Sequence, residues 1–89
     1  MVLPVWRNLM NQRLEVYVES YNSEPIVHEV SRTLTISIGD EISRDDWLNL
    51  LRVPNAVLEL KVKVEDIQHL FWDSEDLQHS INIRVVPVD

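Results

Sequence analysis

Eighty-nine residues, 45% of them hydrophobic, with fifteen acids against eight bases, describe one small acidic domain (residues 1–89) rather than a disordered chain. The lack of cysteine removes disulfides, thiolate metal sites and thiol nucleophiles. The net charge of −7 opposes direct binding to nucleic acid or to anionic membrane. No apolar run approaches the ~20 residues that cross a bilayer. Met1-Val-Leu-Pro-Val has neither the basic start nor the apolar core of a signal peptide, so the expected compartment is the cytoplasm.

Residues 1–12 read either as an N-terminal arm or as a short helix starting near Pro4, with Trp6, Leu9 and Met10 on one face. Over 13–21 the alternation predicts a strand with Leu14, Val16 and Val18 inward and Glu15, Tyr17, Glu19 and Tyr21 outward. Asn22-Ser23-Glu24-Pro25 is turn chemistry. Ile26–Val30 and residues 33–38 then read as strand, bent near Ser31-Arg32, until Gly39-Asp40 ends it.

Ser43-Arg44-Asp45-Asp46 is a capping-box variant, and Trp47, Leu50 and Leu51 follow as an apolar stripe. These residues predict the main helix over about 43–53, stopped by Pro54. Residues 57–65 alternate without a break from Leu58, so Leu58, Leu60, Val62 and Val64 are expected on a dry face and Glu59, Lys61, Lys63 and Glu65 on a wet one. The period then changes. Ile67, Leu70 and Phe71 stand at i, i+3, i+4, which predicts a short helical turn, and residues 73–79 predict a second turn capped by Asp73 or Ser74. A last strand over 81–88 turns Ile81, Ile83 and Val85 inward and Asn82 and Arg84 outward.

These elements predict an α+β fold: a small two-layer domain with a four-stranded sheet, mainly antiparallel or mixed, and one helix packed on one face. The order resembles that of ubiquitin-like β-grasp folds in topology alone. Conjugation would require a C-terminal glycine pair, whereas this chain ends Val-Val-Pro-Val-Asp, so the resemblance carries no modifier activity.

The acid excess is local. Residues 40–76 hold ten acids and four bases, and the segment 65–79 has five acids and two histidines with no lysine or arginine. On a helix, His69 and Asp73 would share a face at metal-chelating spacing, with Asp76 or His79 as a third ligand. A solvated charge run is the blander account, so no metal or other cofactor is expected. His28 reads as a strand residue beside Glu29, and no serine has the flanking glycines of a nucleophile elbow. Three tryptophans are hard to bury in so small a domain; Trp47 belongs to the core, leaving Trp6 or Trp72 for an interface.

The function these residues point to is a non-enzymatic acidic module that binds a basic or mixed-charge protein surface. Its expected contacts are Phe71, Trp72, Asp73, Glu75 and Asp76, with Trp6 and Tyr17 beside them. Two alternatives stand next to it: a small phage- or virus-type inhibitor imitating nucleic acid, and a structural domain forming homodimers through an open sheet edge.

Overall fold

A computed structural model describes residues 12–30, 34–53, 55–71 and 79–88. Five strands form one sheet: β1 (Gln12–Val18), β2 (Ile26–Val30), β3 (Glu41–Ile42), β4 (Val62–Phe71) and β5 (His79–Pro87). Their spatial order is β2-β1-β5-β4-β3. β1 and β5 run parallel at the centre, while β1–β2, β4–β5 and β3–β4 are antiparallel.

The register places Leu14 beside Ile81, Val16 beside Ile83 and Val18 beside Val85 across the parallel pair. Val64 lies opposite Val85 and Ile67 opposite Ile83 across β4–β5. Because side chains alternate across a sheet, these residues share one face, and Leu14, Val16, Val64, Ile83 and Val85 are fully buried there. Trp47, Val53 and Val57 close the core from the segment between β3 and β4.

The expected α+β layering is not what forms. The chain is mostly strand, with no helix of seven or more residues among those described. In place of a helix over 43–53 there is a short helical turn whose π-type part is Asp46–Leu50. The capping box is present: the Ser43 N–H donates to Asp46 Oδ2 (2.9 Å) and the Asp46 N–H to Ser43 Oγ (3.2 Å). What fails is propagation. The Leu51 N–H reaches back to the Asp46 carbonyl and the Val53 N–H to that of Trp47, wider than α-helical spacing. Arg52 then turns left-handed at φ 53°, which lets Val53 drop into the core. Only Trp47 of Asp46–Leu50 is buried, so little apolar area rewards a longer helix.

Three further expectations change. Residues 34–38 join no strand; a turn at Ser37–Asp40 leads instead into the two-residue β3. The 57–65 alternation becomes strand only from Val62, and Leu60 is 63% exposed rather than inward. The helical turn expected after Glu65 is strand, because β4 continues to Phe71 and pairs with β5 as far as Phe71↔His79. Four strands thus become five, and the β-grasp likeness loses the helix it rested on. The second turn predicted over 73–79 lies almost wholly outside the described residues, as does the arm or helix predicted for 1–12; the termini of both overlap a strand, at His79 and Gln12.

The second face of the sheet is not simply wet. Glu15, expected outward, is 6% exposed, and Ser80 and Asn82 are buried with it. They stay there because they pair with one another or with neighbours. Arg13 donates through Nε and Nη2 to Glu15 Oε2, at 2.8 and 2.6 Å, and the Tyr17 hydroxyl donates to Glu15 Oε1. The Ser80 hydroxyl donates to Asn82 Oδ1.

Candidate interaction site at the end of the β4–β5 hairpin

β4 and β5 are the two arms of a hairpin, and residues 72–78 connect Phe71 to its cross-strand partner His79. That connection carries Trp72, Asp73, Glu75 and Asp76 and no base. These four predicted contacts lie outside the described residues, as does Trp6. The two predicted contacts that are described part company. Phe71 is 73% exposed at the end of β4, next to Leu70 at 42%. Tyr17 is only half-exposed and already engaged: its hydroxyl binds Glu15 (2.6 Å) and its ring meets that of Tyr21 edge-on at 5.1 Å.

Around Phe71 the sheet holds a directed chain of hydrogen bonds. Gln12 Oε1 accepts from the Leu34 N–H at 3.0 Å, so the Gln12 amide nitrogen faces His79 Nδ1 at 2.9 Å. An amide nitrogen only donates, which makes Nδ1 an acceptor and puts the neutral His79 proton on Nε2. That Nε2–H donates to His69 Nδ1 at 3.0 Å, leaving the His69 proton on its own Nε2. Phe71 stacks on the His79 ring at 4.3 Å and nearly parallel. Burial, and then the neighbouring His69, hold His79 below the usual histidine range.

This chain bears on the metal idea. His69 is on a strand, so the helical spacing to Asp73 does not arise. Its nitrogen facing His79 is occupied by a hydrogen bond. Among the described residues no group of three or more potential metal ligands comes together.

Neighbouring charges on the second face are paired. The Tyr21 hydroxyl donates to Asp66 at 2.9 Å; burial and then that carboxylate push the phenol well above its usual range. Arg84 meets Glu65 at 3.2 Å. For Glu15, burial raises the carboxyl, but the Tyr17 and Arg13 bonds outweigh it and hold the group below the usual carboxylate range.

A second feature, not read from the sequence, is a groove of about 380 Å³ beside β3. Leu34, Ile36, Ile42, Leu50 and Leu51 line it, with Asp40, Glu41 and Asp46 on its wall. Each of those carboxylates already has a partner: the Ser37 N–H, Lys61 and the Ser43 N–H respectively. The groove therefore offers apolar surface with internally satisfied acids.

No helix among the described residues is long and apolar enough to cross a membrane. No protein-family model, curated protein or solved structure matches the chain.

Proposed function

We propose that this protein is a non-enzymatic interaction module that binds a basic or mixed-charge protein surface through the end of the β4–β5 hairpin. The observation that supports it best is the exposure of Phe71, at 73%, with Leu70 exposed on the opposite face, at the strand end from which the acidic connection leaves. Exposed aromatic and aliphatic side chains supply the apolar anchor of an interface, and surrounding carboxylates speed encounter with a positive partner.

The test is affinity capture with three proteins: wild type, Phe71→Ser, and the triple variant Asp73→Asn, Glu75→Gln, Asp76→Asn. Phe71 is exposed, so Phe71→Ser should fold normally by circular dichroism. Proteins retained by wild type should be lost from Phe71→Ser, and from the triple variant the remaining binding should lose its salt dependence. Equal retention by all three removes the hairpin end from the contact surface.

A further inference from the structure

The hairpin end has a backbone as well as side chains, and the two sides of β4 are not equally used. The Val64 N–H donates to the Asp40 carbonyl and the Val64 carbonyl accepts from the Gly39 N–H, both at 2.8 Å. Val64 therefore points its backbone groups at β3, away from β5. Backbone direction alternates along a strand together with side-chain face. Ile67, His69 and Phe71 lie on the same face as Val64, beyond the register shift between Val64 and Asp66. They too direct N–H and C=O to the outer side, while Gln68 and Leu70 direct theirs at β5.

β3 stops short of these residues. Among the described residues its chain approaches β4 only from Gly39 to Ile42, and Gly39, the sole glycine, turns it away at φ 96°. No described strand lies against Ile67–Phe71 on that side.

Open edges are normally guarded by charge, proline or a bulge within the exposed stretch. Of the two edge strands, β2 has Pro25 before it and Glu29 inside it. Ile67-Gln68-His69-Leu70-Phe71 has no lysine, arginine, carboxylate or proline. The chain as a whole carries a net charge of −7, which attracts a basic segment.

We propose that the outer edge of β4 from Ile67 to Phe71 is a strand-addition site that takes an extended segment of a basic partner. The segment would have an uncharged centre and carry lysine or arginine. This rests on the hairpin end being the contact surface, and adds how it binds and what it recognises. Main-chain hydrogen bonds to Ile67, His69 and Phe71 supply the common affinity of such pairing; side chains alternating over the two faces, beside Phe71 on one and Leu70 on the other, and bases drawn by the net charge of −7, supply selectivity.

A second copy fits the edge less well. Antiparallel pairing centred on His69 would set Ile67 against Phe71 of the copy, but two chains of −7 oppose such pairing, antiparallel or parallel.

The experiment uses the full chain and a blocked peptide, Lys-Val-Thr-Val-Thr-Val-Lys, with residue-resolved hydrogen exchange. Near saturation the Ile67, His69 and Phe71 amides should exchange about tenfold or more slowly, with Gln68 and Leu70 unchanged. N-methylation of the peptide at one alternate set of residues should abolish this, and at the other set should not. Replacing both lysines by glutamates should weaken binding about tenfold or more at low salt, a gap that narrows at high salt. Slowing with no alternate-residue pattern, in a peptide still lost from Phe71→Ser, overturns strand addition while leaving the surface in place. A peptide that fails to bind, with captured proteins indifferent to Phe71→Ser, overturns both. Alternate-residue protection that grows with protein concentration and needs no peptide makes the occupant a second copy, and overturns the basic segment.

Discussion

Replacing Gln12 by leucine isolates the head of the hydrogen-bond chain beneath Phe71. Leucine has about the volume of glutamine, so packing is nearly conserved, but two hydrogen bonds vanish. The Leu34 N–H, on a residue only 7% exposed, loses its acceptor, and His79 Nδ1 loses its donor. A buried N–H left unpaired costs about 1–3 kcal/mol, and the lost histidine bond adds about 1. Burying an apolar side chain in place of a nearly buried amide (7% exposed) returns about 1 kcal/mol. The net destabilisation is about 2 kcal/mol. At about 2.1 cal/mol/K per residue, an 89-residue domain unfolds with an entropy near 0.19 kcal/mol/K, so the melting temperature should fall by about 10 °C. Thermal unfolding by circular dichroism at pH 7.5 measures it. Gln12→Glu is the control: its carboxylate still accepts the Leu34 N–H but turns an acceptor toward His79. That variant should keep slow exchange at Leu34 and raise the His79 pKa, read by NMR titration. A loss below about 0.5 kcal/mol in Gln12→Leu, or equal Leu34 exchange in both variants, would refute the chain as drawn.

Three other outcomes are expected. Because His79 titrates below its ordinary 6.5 in the folded state, its contribution is complete above that pH and is lost as pH falls through the depressed folded value. His79→Gln should therefore flatten the stability profile between about pH 7 and 5, and an unchanged profile counts against it. Glu15→Ala should cost about 1–2 kcal/mol at pH 7, modest because Arg13 is 40% exposed and rehydrates. The Glu15 carboxyl is held below its ordinary 4.5, so this difference should persist down to about that pH and disappear in stronger acid; a penalty that survives in strong acid refutes the ion pair. Arg52→Gly relieves a left-handed backbone at the end of the helical turn and should stabilise by about 0.5–1 kcal/mol, and a lower melting temperature would contradict that reading.

The exposed Phe71 and the acidic connection could be picked out from the sequence, since one combines an aromatic with a nearby carboxylate run and the other is a charge count. The stretch of β4 beyond β3 could not. It depends on where β3 leaves β4, a matter of the Gly39 turn and of which strand reaches which neighbour. Tyr17 lies on the outward face that alternation gave it, but the bond from its hydroxyl to Glu15, two residues away on that face, was not legible.

Some of the architecture belongs to the residues alone. Alternation set Leu14, Val16, Val62, Val64, Ile81, Ile83 and Val85 on one face, and all seven are buried. Trp47 lies in the core, and Ser43 and Asp46 cap one another. Such features are local or depend on a single period, so a chain carries them wherever it goes. Tertiary structure decided what a period cannot. Ile67, Leu70 and Phe71 fit a helical turn, yet Phe71 pairs with His79 and Ile67 with Ile83, so the segment is strand. The backbone groups of its alternate residues, Gln68 and Leu70, are satisfied by β5, and propensity over six residues amounts to too little to compete. The same pairing turned Leu70 away from the core it seemed to belong to, onto the face opposite Phe71.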